Sequence, residues 1–129
     1  MFAIGPSVFG QQWHEDLNTA SRIATAENKK VLMYFSVNEH CETCRKLEQD
    51  FFSSTEFLNY ASANLVLVKP KFSAQVAYEE KAEKLQIVEK YNKDGFFPHI
   101  VLLDASLKIL KRAPLYQGED AARYLQHLR

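Results

Sequence analysis

The only two cysteines of this chain stand at C-x-x-C spacing, in His40-Cys41-Glu42-Thr43-Cys44. They fall where a β-like apolar run, Val31 to Val37, gives way to a helix-like run, Arg45 to Phe52. The chain must therefore carry both thiols from the end of a strand onto the first turn of a helix. The free N–H groups and dipole at such a helix start stabilise a thiolate and lower the first cysteine's pKa. The second cysteine follows about one turn later, close enough for a small disulfide ring. That arrangement suits dithiol redox chemistry. The same spacing is also half of many zinc sites. A structural zinc usually takes four Cys or His ligands. No second cysteine pair exists, and His14, His40, His99 and His127 form no close set.

Length and composition fit one core: 129 residues, 47% hydrophobic, with nine Phe and six Tyr. Sixteen basic residues balance sixteen acidic ones. That balance gives no electrostatic case for nucleic acid or an anionic membrane. No apolar run approaches the roughly 20 residues of a membrane span. Two cysteines make no disulfide scaffold and read as reactive rather than structural. Met1 to Gly10 carries no Lys or Arg, and its apolar segment is too short for a signal peptide. The expectation is a cytosolic chain or an exported one after signal removal.

Residues 1–12, with Gly5, Pro6 and Gly10, read as an irregular arm. Helical spacing runs from Trp13 to about Asn28, with Leu17, Ala20, Ile23 and Ala24 on one face. Trp13 is expected to pack near the start of this helix. Val31 to Phe35 is a continuous apolar run, as in a strand buried on both faces, and Leu65 to Lys69 reads as a second buried strand. After Cys44, Leu47, Phe51 and Phe52 are expected inward and Arg45, Lys46, Glu48 and Gln49 outward. Ser54 or Thr55 is positioned to cap a further short helix. A long helix is expected from about Ala74 to Tyr91, with Val76, Leu85, Val88 and Tyr91 inward. Its Glu79-Glu80-Lys81 and Glu83-Lys84 read as a solvated face. Asn92 to Gly95 reads as a turn. A proline, Pro98, then opens the strand Ile100 to Leu103, and a turn at Asp104 leads into Leu107 to Leu110. A last helix from about Glu119 to Leu128 is expected to place Ala122, Leu125 and Leu128 on one side.

This order, with C-x-x-C after the first long strand and a proline before a later one, resembles the thioredoxin fold. Within that superfamily the chain is similar to bacterial extracytoplasmic oxidoreductases of the DsbH type and the DsbD C-terminal-domain type. The resemblance rests on Asn28 to Ser36, Cys41 to Glu48, Asn64 to Lys69, and Gly95 to Pro98 with Ile100 to Asp104. It implies an α/β fold with a central mixed sheet of about four strands flanked by helices, plus an N-terminal extension helix. The whole chain, 1–129, is then one domain. Cys41 would be the exposed nucleophile and Cys44 the buried resolving thiol. Pro98 would be a cis-proline facing the disulfide, and the Phe97 backbone would pair with a bound substrate strand.

Three positions depart from the family. His40 stands where the family usually has Trp before the first cysteine. Tyr34 or Phe35 stands where thioredoxins keep a buried acid on the first strand. His99 replaces the common Thr after the proline. Proton transfer from Cys44 is then expected through water, Glu39, Glu42 or a histidine.

The implied reaction is thiol–disulfide exchange. Glu42, with Glu39, disfavours the Cys41 thiolate, whereas the helix start and a protonated His40 favour it. Net acidic surroundings favour a reductant. His40, Glu42, Thr43, Phe97, Pro98 and His99 are thus the expected tuning and substrate-binding residues around catalytic Cys41 and Cys44. No cofactor is expected beyond the redox-active cysteine pair, and no metal. The expected partners are protein or peptide thiols and disulfides and a redox partner protein. The expected state is a monomer, in the periplasm or another extracytoplasmic compartment, with the cytoplasm as the alternative. Two other functions stay open on the sequence. One is a non-catalytic module that holds peptides at Phe97 and Pro98. The other is a carrier of a soft metal ion on Cys41, Cys44, His40 and His99.

Overall fold

A computed structural model describes residues 12–37, 41–70 and 78–129, the side chains of 78–84 excepted. The expected arm up to residue 11, Glu39, His40 and Val76 lie outside the described residues. The elements are β1 (Trp13–His14), α1 (Leu17–Glu27), β2 (Lys30–Phe35) and α2 (Glu42–Lys46), which runs on as a π-helical stretch, Leu47–Phe52. Then come α3 (Thr55–Asn64), β3 (Leu65–Val68), α4 (Tyr78–Tyr91), β4 (His99–Leu103), β5 (Ile109–Arg112) and α5 (Ala121–Leu125), closed by a 3-10 turn, Gln126–Leu128.

Among the described residues the sheet has five strands, in the order β1-β3-β2-β4-β5, where about four are expected. The added strand is β1, a stretch read from the sequence as helix. Asp16 decides this locally. Its carboxylate accepts the Thr19 backbone N–H at 2.9 Å and the Thr19 hydroxyl at 2.8 Å, so the helix starts only at Leu17. Trp13 and His14 are left extended and pair in parallel with Leu67 and Val68. Helix α1 is therefore the crossover between β1 and β2, not an appended extension. It ends at Asn28, whose φ of 56° is a left-handed conformation that asparagine tolerates.

Strands β1, β3 and β2 run parallel, and β4 and β5 are antiparallel to their neighbours. Alternation along β2 feeds two cores, one on each face. Val31, Met33 and Phe35 pack with Ala20, Ala24, Val66, Val68 and Tyr91. Leu32 and Tyr34 pack on the other face with Leu47, Phe51, Phe57, Leu65, Leu67 and Tyr124. Trp13 joins this second face, 5.0 Å from the Phe52 ring and 5.8 Å from the Tyr34 ring, not the face that carries α1.

Two inward assignments are corrected. Leu85 is 68% exposed, and α4 instead offers Ile87, Val88 and Tyr91. Ala122 is exposed, because the Asp120 cap phases α5 so that Ala121, Tyr124, Leu125 and Leu128 share the inner face. Strand β5 also lies two residues later than expected. The Asp104 carboxylate holds the turn, accepting from the N–H groups of Ser106 and Lys108, and a register shift falls at Leu102/Leu103.

Parallel β2 and β3 end at Phe35 and Val68, and antiparallel β4 begins at His99. Ser36 and Val37, residue Lys69, and the Phe97-Pro98 peptide therefore all meet at one end of the sheet.

Candidate active site

Cys41 and Cys44 are joined by a disulfide bond, with their Cα atoms 5.2 Å apart. Cys41 is the N-cap of α2 and is partly exposed. Its Sγ accepts the Cys44 backbone N–H at 3.1 Å, and its carbonyl accepts the Arg45 N–H at 3.1 Å. Cys44 is only 3% exposed. One sulfur thus meets solvent with a backbone donor already aimed at it, while the other is held underneath. Thr43, between them, is partly exposed, and its carbonyl accepts from the Leu47 N–H.

Glu42 is fully exposed and bound to Arg45. Arg45 Nε donates to Oε1 at 3.2 Å, and Arg45 Nη2 donates to Oε2. Those contacts hold the Glu42 carboxyl below the usual carboxylate range, with Lys46 adding to the effect. Glu42 is the residue expected to disfavour the Cys41 thiolate, and it does not stand as an isolated charge. Its charge is largely matched by the guanidinium one turn on.

A cavity of about 590 Å³ opens beside the disulfide, lined by Ser36, Val37, Cys41, Glu42, Cys44, Arg45, Glu48 and Lys69. Glu48 and Lys69 were not among the expected site residues, and Glu48 was expected to face outward. It is instead partly buried, accepting the Tyr34 hydroxyl at 2.9 Å and lying 3.7 Å from Lys69 Nζ. The signal was present in the spacing. Glu48 follows Cys44 by four residues, which shares a helical face.

Phe97, Pro98 and His99 do not line this cavity. The Phe97–Pro98 peptide bond is cis. Pro98 is buried, and the Phe97 ring stands 6.5 Å from Phe35 at 77°. His99 pairs with Phe35 across the sheet, its ring 6.2 Å from the phenyl ring. Burial pushes the His99 pKa below its ordinary value; Arg112 adds to this and Asp94 opposes it. Tyr34 and Phe35, the two residues expected at the position where thioredoxins carry an acid, are both buried, and Tyr34 is a phenol. Among the described residues no group of three or more His, Cys, Asp or Glu side chains is arranged to hold a metal ion.

A family model described as thioredoxin-like matches residues 12–105, from β1 through β4. The chain belongs to the thioredoxin-like family. Among curated members of known function it is similar to the disulfide bond reductase DsbH of Chlamydia pneumoniae. The two are 29% identical over 112 residues, covering 86% of this chain and 67% of that protein. Among solved structures, a DsbH oxidoreductase superposes with a TM-score of 0.71 at 24% identity, covering 99% of this chain and 92% of that one. A thioredoxin from Thermus thermophilus gives 0.63 at 20% identity, over 92% and 85%. The oxidised DsbD C-terminal domain of Neisseria meningitidis gives 0.56 at 12% identity, over 89% and 95%. At these identities the superpositions establish the thioredoxin-like fold.

Proposed function

We propose that this chain is a thiol–disulfide oxidoreductase that reduces disulfides in protein or peptide substrates. One observation carries the reading: a partly exposed Cys41 caps α2 and is bonded to a buried Cys44 at the mouth of a cavity. In the reduced chain the Cys41 thiolate attacks a substrate disulfide. A Cys41–substrate disulfide forms, and one substrate thiolate leaves. Cys44 then attacks Cys41, the mixed disulfide breaks, and the second substrate thiol is released. The protein ends oxidised, as the Cys41–Cys44 disulfide seen here.

The Cys44 N–H, 3.1 Å from Cys41 Sγ, supports a thiolate there. A reducing direction is supported by the likeness to a protein named as a disulfide bond reductase. Phe97 and Pro98, at the same end of the sheet, offer the backbone edge for an extended substrate. The likeness to DsbH also supports an extracytoplasmic setting with a separate redox partner protein to restore the dithiol.

The test is the equilibrium reduction potential of the pair in a dithiol buffer. A value near about −270 mV is expected, and one above roughly −180 mV would overturn the reducing direction. The Cys41→Ser variant is expected to lose all disulfide-reducing activity. Full activity in that variant would remove the mechanism.

A further inference from the structure

The two flanks of the cysteine pair differ in character. In the sheet, β3 lies on one side of β2 and β4 on the other. Phe97 and Pro98 lead into β4, on one flank. The cavity opens on the other, where Ser36 and Val37 leave β2 and Lys69 leaves β3. Its volume of about 590 Å³ lies in the range of small-ligand pockets. Its wall carries charges of both signs beside the two sulfurs.

Three polar groups of that wall keep hydrogen-bonding capacity unspent. Glu48 Oε2 accepts the Tyr34 hydroxyl at 2.9 Å and lies 3.7 Å from Lys69 Nζ. That separation is too long for a hydrogen bond, so the ammonium does not spend its N–H groups on the carboxylate. Glu48 Oε1 takes no hydrogen bond among the described residues. Ser36 is 7% exposed, and its Oγ is buried with no hydrogen-bond partner among the described residues. The neighbouring Tyr34 hydroxyl gives its hydrogen to Glu48 instead. A buried hydroxyl left unpaired is costly unless something else pairs with it. At the rim, by contrast, Glu42 and Arg45 are bound to each other.

The cavity therefore offers a cation and a hydroxyl to an anion, and a carboxylate oxygen to a cation, all close to the sulfurs. A half-cystine inside a polypeptide has its amine and carboxyl tied up as neutral amides. Free cystine carries an ammonium and a carboxylate on the carbon two bonds from each sulfur. We propose that this cavity is a subsite for low-molecular-weight disulfides that bear an α-amino carboxylate beside the sulfur, and that the chain reduces cystine to two cysteines. The ligand's carboxylate takes Lys69 and Ser36, and its ammonium takes Glu48. The proposal rests on the redox reading above and adds a substrate class to it. The Cys41 thiolate attacks one cystine sulfur, the cystine S–S bond breaks, and one cysteine leaves as its thiolate. Cys44 then attacks Cys41, the mixed disulfide breaks, and the second cysteine leaves. Two electrons pass from the cysteine pair to cystine, and the two thiol protons of the pair reach the two products through solvent.

The test mixes the reduced full chain with cystine, cystamine, dithiodipropionate or glutathione disulfide. Loss of alkylatable Cys41 and Cys44 is followed by mass after acid quenching. Cystamine lacks the carboxylates of cystine, dithiodipropionate lacks its ammonium groups, and glutathione disulfide carries its charges farther from the sulfur. Each rate constant is divided by that of the same disulfide with dithiothreitol, which removes intrinsic reactivity. Cystine is expected to exceed each of the others by about tenfold or more. Lys69→Gln should slow cystine and dithiodipropionate more than cystamine, and Glu48→Gln should slow cystine and cystamine more than dithiodipropionate. A merely structural role would not give these crossed losses. Equal normalised rates, or any of the other three ahead of cystine, would overturn the proposal. If dithionitrobenzoate oxidises the pair and cystine does not, the proposal falls alone. If neither does, the redox reading falls with it.

Discussion

At the scale of single residues, a carboxylate beside a thiol acts on it only as far as its charge is free. Glu42 immediately follows Cys41 in the chain, yet its two oxygens are spanned by Arg45. Arg45→Ala should release that charge and remove a cation at once, and both changes disfavour the Cys41 thiolate. The expected result is a thiolate that forms at higher pH, followed by its ultraviolet absorbance in the reduced protein. Alkylation at neutral pH should be about two- to fivefold slower, the range a surface charge pair supports. An unchanged titration would mean that Glu42 and Arg45 do not reach the sulfur electrostatically. The cysteines and Pro98 were legible because spacing and neighbours marked them. Glu48 was missed because it stands in a charged run, Arg45-Lys46-Leu47-Glu48, where a glutamate reads as solvated. Only the position of the Tyr34 hydroxyl, set by the tertiary fold, shows otherwise.

At the scale of elements, caps decide boundaries that periodicity blurs. Asp16 closes off α1 and so leaves Trp13 and His14 free to become a strand. Asp16→Ala is expected to cost about 1 kcal/mol of unfolding free energy at neutral pH, measured by urea denaturation. The pH dependence has a definite sign. Hydrogen bonds from Thr19 hold the Asp16 carboxyl below its ordinary value in the folded chain. Its contribution is therefore complete above the unfolded carboxylate range and is lost as pH falls through the folded value. The gap between the two proteins should close in acid. A gap that stays constant down to low pH would show that the carboxylate charge is not what caps the helix. The Ser54 cap of α3 was readable from the sequence because it follows the break after Phe52, and Ser54 Oγ accepts the Phe57 N–H at 3.1 Å. The π-helical turn from Leu47 to Phe52 left no such mark, since no residue type announces it.

At the scale of the whole molecule, the central strands were legible because burial on both faces makes them continuously apolar. β2 and β3 together serve both cores. β1 was not legible, since two residues carry no period. The helix faces were read less well than the strands. A cap that shifts the start of a helix rotates which residues point inward, as at Ala122. Phe51 shows how much rests on the aromatic core. It is fully buried, with the rings of Phe52, Phe57 and Tyr124 within 5.4 Å centroid to centroid. Phe51→Ala is expected to lose about 3–5 kcal/mol in chemical denaturation. Leu85→Ala, at an exposed site, should stay within about 0.5 kcal/mol of the parent. Equal losses at the two sites would contradict the placement of the core.

The ends of the sheet have a consequence for life at high concentration. Among the described residues one edge strand is two residues long, and the other, Ile109–Arg112, carries Lys111 and Arg112 and meets its neighbour through an irregular register. A foreign strand seeking to zip onto the sheet finds too short a template on one side and a row of cations on the other. The molecule thus places its exposed backbone where another copy gains little by pairing with it. On the proposed function, a substrate chain meets the molecule at the sulfurs, and that contact need not seed a fibril at the sheet's margins.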